Sequence, residues 1–359
     1  MTDTQPSIEN PDSLLAASVD DFQAVLLEGV SRTFALTIPQ LPAELYPVVA
    51  NAYLLCRIVD TVEDEVSLDF PQKEAFCQRF IEVVKTGKGA AQFAIDLAPL
   101  LSEQTIPAEH VLIQLTERVI EITHSFAPEQ IEALLCCVDT MAKGMPAYQG
   151  MDLSGGLATL KDMDEYCYYV AGCVGDMLAK LFCHYSPEIA ANREQLMALA
   201  PSFGQGLQMT NILKDIWDDA QRGVCWLPQD IFTETGFDLK TLNNSGTGKE
   251  FQLGLEHLIS IAQGHLHNAL KYTQLIPSHE VGMRNFCLWA LGMAVLTLNK
   301  IQQNLEFTDS TQVKITRKSV KATILTTKVI GRSNWLLSAL FKAKTKQMAC
   351  QDWQYQAKL

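Results

Sequence analysis

The chain has 359 residues, 48% of them hydrophobic and 19% charged, which is ample material for a large core and excludes general disorder. A formal net charge of −13 argues against general nucleic-acid affinity, yet it leaves room for phosphorylated ligands bridged to acids by divalent metal. The ten cysteines contain no CxxC pair and several lie in apolar runs (Cys56, Cys173, Cys183, Cys287). They read as buried thiols of a reducing, cytoplasmic setting, and the seven histidines show no zinc spacing.

The opening MTDTQPSIENPD is polar and acidic, unlike a secretory signal, and residues 1–18 read as a flexible tail. From about residue 19, helical periodicity dominates. DDFQAVLLEGV, EAFCQRFIEVVK, QIEALLCCVDTMAKGM, REQLMALAPSFGQGLQMTNILKDIWDDA and EFQLGLEHLISIAQGHLHNALKYTQLI all repeat apolar residues at three and four. Turn chemistry breaks the pattern at PQLPAE, KTGKGA, MDLSGG, RGVCWLPQD and NNSGTGK. Alternating β runs are nearly absent, and there is no internal repeat or long linker. The expectation is an all-α protein, with one helical catalytic domain over 19–310 and a basic helical segment over 311–359 packed on it. The apolar run Phe286–Leu298 is shorter than the roughly 20 residues that span a bilayer, so it reads as a buried helix.

Within these helices two polar stripes stand out. Tyr53, Arg57, Asp60 and Asp64 fall at i, i+4, i+7 and i+11, among apolar Leu54, Leu55, Ile58, Val59 and Val62. Gln208, Asn211, Asp215 and Asp219 fall at i, i+3, i+7 and i+11, among Leu207, Ile212, Leu213, Ile216 and Trp217. Unpaired charges in a dry core cost too much, so both stripes are expected to line a central, water-filled cavity with apolar walls. Four aspartates in one cavity repel one another unless a cation intervenes. Oxygen ligands without His or Cys point to Mg²⁺, with Mn²⁺ as the alternative. Metal-bound diphosphate beside apolar walls suggests an allylic diphosphate substrate. Glu63, at i+3, shares the first stripe in part, and Glu65 lies off it and is expected to face solvent.

At this point the residues resemble a family. DTVED (Asp60–Asp64) and NILKDIWDD (Asn211–Asp219) are similar to the two aspartate-rich motifs of the squalene/phytoene synthases. SRTFALTI (Ser31–Ile38), YCYYVAGCVGDML (Tyr166–Leu178) and RGVCWLPQDIF resemble further stretches of that family, in the same order. The resemblance implies head-to-head condensation of two prenyl diphosphates, here farnesyl diphosphate, on a single-domain isoprenoid synthase fold. It implies that Asp60, Asp64, Asp215 and Asp219 hold metal and diphosphate, assisted by Glu63 and Asn211. Gln208 and Asn211 would contact substrate at the centre of the cavity. Arg32 and Arg57 would contact phosphate, or else pair with the acids and position them. Phe34 and Tyr53 would line the path of the cation, or else serve as core aromatics. Tyr166 corresponds to a tyrosine of the proton-abstraction step. Tyrosine is a poor base alone, so released diphosphate would be the final proton acceptor.

QVKITRKSV (Gln312–Val320) resembles a stretch of the eukaryote-type squalene synthases, the branch that uses NADPH. On that resemblance Lys314 and Arg317 would meet cofactor phosphates, with Ser31, Thr33 and Asn211 contributing. The alternative is a reductant-free relative making phytoene, dehydrosqualene or hydroxysqualene. The sequence departs from the family at Val224, where Arg is frequent, and at the inserted Thr316. The segment from Asp309 to Asp352 carries no acid between those two residues but nine Lys and Arg. In place of the C-terminal anchor of eukaryotic squalene synthases, SNWLLSALFKAKTK reads as a helix lying on a membrane or as a packed terminal helix. The protein is expected to be a monomer with no nucleic-acid partner.

Overall fold

The computed structural model describes residues 6–242 and 248–351. Among them all regular structure is helical, and the isolated bridges Ser7–Asn10 and Leu157–Pro228 are the sole strand-like pairings. The all-α expectation therefore holds. The expected break at NNSGTGK falls mostly on 243–247, outside the described residues. Packing divides the chain into two compact units. One takes in residues up to Gly150 together with Lys180–Ala190, and the other takes in Met151–Ala179 and residues from Ala191 on.

The first unit holds α1 (Pro11–Leu15), α2 (Val19–Val30), α3 (Phe34–Thr37), α4 (Tyr46–Asp64) and α5 (Phe70–Thr86). It continues with α6 (Ala90–Leu97), α7 (Pro107–Gln114), α8 (Thr116–Thr123) and α9 (Pro128–Gln149). Helix α4 is its axis and packs on α2, α5, α7, α8 and α9. Pro47 in its first turn has no N–H to leave unpaired. Leu54, Leu55, Ile58, Val59 and Val62 are all at most 1% exposed, each burial contributing on the order of 2 kcal/mol. Buried Asn51 ties three helices together: its Nδ2 donates to Val119 O and Thr123 Oγ1, and its Oδ1 accepts from Gln23 Nε2. The segment read as a flexible tail is partly folded. Asn10 caps α1, and Leu14 is fully buried.

The second unit begins with α10 (Leu160–Cys167), which runs through a π turn at Tyr168–Gly172 into α11 (Cys173–Tyr185). From Lys180 the end of α11 and α12 (Pro187–Ala190) belong to the first unit, and the second resumes with α13 (Arg193–Gln221), α14 (Gln229–Thr235), α15 (Lys249–Leu275) and α16 (Val281–Gln303). Then follow α17 (Ser310–Val313), α18 (Arg317–Ile330) and α19 (Asn334–Lys344). Helix α13 packs along α15 and against the π turn. The approach is close because a Cβ on Gly204 would lie 1.8 Å from Ala171 O, a contact only glycine permits. Helix α16 contains the apolar run Phe286–Leu298. It is long and apolar enough to cross a bilayer, yet 72% of its most apolar window is buried within the unit, as a core helix would be.

Candidate active site

In the first unit, between Asn51 and Glu65, only Tyr53, Arg57, Asp60 and Asp64 escape burial. The apolar faces of α4 are consumed by its five neighbours, so the polar stripe is what remains. Arg57 organises it. Its Nη2 donates to Tyr53 Oη at 2.8 Å, and its Nη1 lies 3.7 Å from both Asp60 Oδ2 and Glu109 Oε1. The Phe34 ring sits 5.2 Å from that of Tyr53, so these two aromatics and Arg57 form one cluster. Burial works against the Arg57 charge, but Asp60, Tyr53 and Glu109 outweigh it and hold the guanidinium protonated. One cation does not balance the acids. Burial pushes the Asp60 carboxyl up to about 7; Arg57 opposes the shift, and Asp64 and Glu109 add to it. Glu109 is raised as well, by burial and by Asp64 against the pull of Arg57.

Two acids near this stripe behave otherwise than expected. Glu63 is 4% exposed, close enough to the Cys77 thiol to raise its pKa, and its carbonyl accepts from Lys73 Nζ. That burial against α5 takes it off the open stripe. Glu65 does not face solvent. It is 1% exposed and accepts from Ser67 N at 2.7 Å, Ser102 N at 2.9 Å and Thr105 Oγ1 at 2.7 Å. Burial alone would raise its pKa, but these donors hold it at about 2.

In the second unit, Gln208 and Asp215 are half-buried and Asn211 is exposed on α13. Lys214 Nζ sits 3.0 Å from Asp215 Oδ2. Asp219 is 8% exposed; burial raises its pKa, Arg222 lowers it through a direct hydrogen bond, and Asp215 and Asp218 raise it further. Arg222 is thus engaged with the second motif itself. Tyr166, at the end of α10, is 6% exposed and stacks on Trp226, with centroids 3.9 Å apart and planes 9° apart. The loop carrying Trp226 is fixed by main-chain bonds: Cys225 N to Leu153 O, Leu157 N to Leu227 O and Gln229 N to Leu157 O. The Asp230 carboxylate accepts from Leu160 N and so caps α10. Buried Gln205 donates to Asp164 Oδ1 at 2.8 Å, and His265 Nε2 lies 3.3 Å from the same oxygen. These contacts lock α10 to α13 and α15, and the π turn follows directly, a feature common at functional sites.

The residues expected to hold cofactor are placed separately. Ser31 Oγ accepts from Phe34 N and caps α3, while Arg32 and Thr33 are exposed. Lys314 and Arg317 are exposed and make no ion pair among the described residues. The inserted Thr316 caps α18, its Oγ1 accepting from Ser319 N. Among the described residues no cluster of three or more His, Cys, Asp or Glu forms a ready metal cage. Taken within each unit, the carboxylates Asp60 and Asp64 of the first and Asp215 and Asp219 of the second are nevertheless of the oxygen-donor type that suits Mg²⁺, which keeps waters and takes few carboxylates plus phosphate. Two further residues of the site come from the fold: Trp226, within the RGVCWLPQDIF stretch, and Glu109, which nothing in PAEHVL links to α4.

A family profile described as squalene/phytoene synthase matches residues 27–319. The chain belongs to the squalene/phytoene synthase family. It is 32% identical over 293 residues to squalene synthase ERG9 of Saccharomyces cerevisiae, covering 78% of this chain and 61% of that protein, less than two thirds of its length. Among solved structures it is similar to a TcSQS–ligand complex, with TM-score 0.75, 22% identity and coverage of 93% of this chain and 94% of that one. It is also similar to a dehydrosqualene synthase–ligand complex, with TM-score 0.64, 19% identity and coverage of 90% and 100%. These likenesses establish the helical isoprenoid synthase fold. The squalene/phytoene synthase match takes in both aspartate stripes, Tyr166 and Trp226. It stops inside α18, so most of α18 and all of α19 lie beyond it.

Proposed function

We propose that the chain is a prenyltransferase of the squalene synthase type, joining two farnesyl diphosphates to presqualene diphosphate and reducing that to squalene with NADPH. The observation that carries this reading is the pair of acid stripes, each on a helix otherwise apolar, with Asp60 and Asp219 held above the ordinary carboxylate range. Bound Mg²⁺ would neutralise the diphosphates and stabilise their departure. Asp60, Asp64, Asp215 and Asp219, with Asn211, would hold it. Arg57 and Arg32 would orient phosphate oxygens, Arg57 being steadied by Glu109.

Loss of one diphosphate leaves an allylic cation whose C1 forms a bond with the double bond of the second substrate. A proton then leaves that C1, and the electron pair of its C–H bond closes the cyclopropane ring onto the resulting tertiary cation. Tyr166, aligned by Trp226, would take part in that transfer, with released diphosphate as the final acceptor. Phe34 and Tyr53 would turn aromatic faces to the cation, and Gln208 would bind substrate beside Asn211. The apolar side chains flanking both stripes would keep water away, since water would quench the cation to an alcohol. NADPH would supply hydride to the final cation, its phosphates meeting Lys314 and Arg317, with Ser31, Thr33 and Asn211 contributing. Buried thiols at eight of the ten cysteines support a cytoplasmic setting.

The test is incubation of purified protein with farnesyl diphosphate and Mg²⁺, with and without NADPH. Squalene formed only with NADPH supports the reading. Dehydrosqualene or an alcohol in the same yield under both conditions would overturn it.

A further inference from the structure

Helices α18 and α19 carry the three most exposed large apolar side chains among the described residues: Val329 at 76%, Trp335 at 75% and Leu325 at 68%. They do not belong to the packing of the unit. On α18, Thr323 and Thr327 face inward, and Thr323 lies against Gly292 of α16. Lys318, Lys321, Leu325 and Val329, at i, i+3, i+7 and i+11, share the outward face and are all exposed. On α19, Leu337, Leu340 and Phe341 line the inward crevice toward α16. Trp335, Ala339 and Lys342, again one stripe, are all exposed, and so is Lys346, two residues past the end of the helix. Each helix therefore turns a mixed apolar and basic face to solvent.

The charge pattern narrows the partner. Residues 310–351 hold nine of the 28 Lys and Arg and none of the 41 Asp and Glu. A nucleic acid would use the charge but not exposed Leu, Val and Trp. An acidic protein would need an apolar patch of its own opposite Leu325, Val329 and Trp335. A bilayer with anionic headgroups uses both: apolar side chains enter the headgroup boundary, Trp favours that depth, and Lys stems reach back to phosphate. The strongly acidic remainder of the chain is repelled by such a surface, which fixes the side that approaches.

We propose that the outward face of α18 and α19 docks the protein on a lipid surface bearing anionic headgroups. Leu325, Val329 and Trp335 enter the boundary, and Lys318, Lys321, Lys342 and Lys346 meet the phosphates. The assignment stands independently of the reaction.

The test uses the full chain in flotation with vesicles of phosphatidylcholine alone and of phosphatidylcholine mixed with phosphatidylglycerol. Binding is expected only to the mixed vesicles and falls with salt. Each of Lys321→Gln and Lys342→Gln weakens it roughly five-fold at low salt, the effect of about 1 kcal/mol per charge near the surface. Trp335→Ser weakens it further, and brominated lipid quenches tryptophan fluorescence in the native chain more than in that variant. All three side chains are exposed, so thermal unfolding stays unchanged and certifies the fold. Equal binding to both vesicles, no binding, or binding indifferent to all three substitutions overturns the proposal. So does salt-sensitive self-association without lipid that the same substitutions abolish, since a second acidic copy would then be the occupant.

Discussion

The ring of Tyr166 lies flat on the indole of Trp226, 3.9 Å away, and the loop that delivers Trp226 is pinned by backbone bonds to Leu153 and Leu157. The stack fixes the plane of the tyrosine and therefore the direction of its hydroxyl. Tyr166→Phe keeps the stack and removes the hydroxyl. It is expected to lower the rate of presqualene diphosphate formation by roughly 100-fold or more, with the melting temperature unchanged. Trp226→Ala should lower the same rate while leaving farnesyl diphosphate affinity close to native, and it costs about 1 kcal/mol of aromatic stacking. Trp226→Phe should restore much of the loss. Single-turnover kinetics on the three variants checks this.

Asp60 is held at about 7 by burial first, then by Asp64 and Glu109, against the pull of Arg57. A carboxyl whose folded pKa lies above its ordinary 3.8 destabilises the fold once ionised. The penalty is absent below about pH 4 and grows as pH rises to about 7. Its ceiling is roughly 4 kcal/mol, reduced because the side chain still meets water. Asp60→Asn should therefore raise the melting temperature of the metal-free protein at neutral pH and flatten its fall with pH, while abolishing turnover. Mg²⁺ with inorganic diphosphate should stabilise the native protein and leave the variant unchanged. Scanning calorimetry across pH reads both effects.

Glu65, next in sequence to Asp64, has the opposite character. Three donors hold it at about 2, against an ordinary value of 4.5. A lowered pKa gives stability that is full above about pH 4.5 and is lost as pH falls toward 2. The shift corresponds to about 3 kcal/mol. Glu65→Ala should cost that much near neutral pH, leave Ser102 N and Thr105 without their acceptor, and remove the acid-side loss of stability. The Mg²⁺ dependence of turnover should stay native, which separates this acid from its neighbour.

The contrast between these acids marks what the sequence could tell. The stripe Tyr53, Arg57, Asp60, Asp64 was readable because α4 is enclosed by five helices, and an enclosed helix writes its one open face as a helical period. Glu65 was misread because its partners Ser102 and Thr105 lie some 37 and 40 residues downstream, beyond any local period. Glu109 reaches Arg57 in the same way, through tertiary packing alone. Leu14 looked like part of a tail because a five-residue helix is too short to show periodicity. The π turn at Tyr168–Gly172 has no propensity signal; what the sequence shows of it is Gly175, just beyond the turn, and Gly204 on α13, each of which lets the facing backbone come close.

The last prediction concerns the reductant. Lys314 follows α17, which packs on α13, and its side chain is left in solvent, while its carbonyl accepts from Lys300 Nζ. Arg317 opens α18 one residue after the capping Thr316. Neither side chain supports the fold, so charge reversal should leave stability within about 0.5 kcal/mol of native. If both meet cofactor phosphates, Lys314→Glu and Arg317→Glu together remove two attractive contacts and add two repulsive ones. The KM for NADPH should rise by more than about 10-fold, since a charged hydrogen bond contributes roughly 1.5–3 kcal/mol. Condensation needs no hydride, so presqualene diphosphate should form at the native rate and accumulate. Product analysis at limiting NADPH decides the matter: squalene at the native rate from the double variant would remove both residues from the cofactor site, and loss of presqualene diphosphate itself would place them with the substrate diphosphates instead.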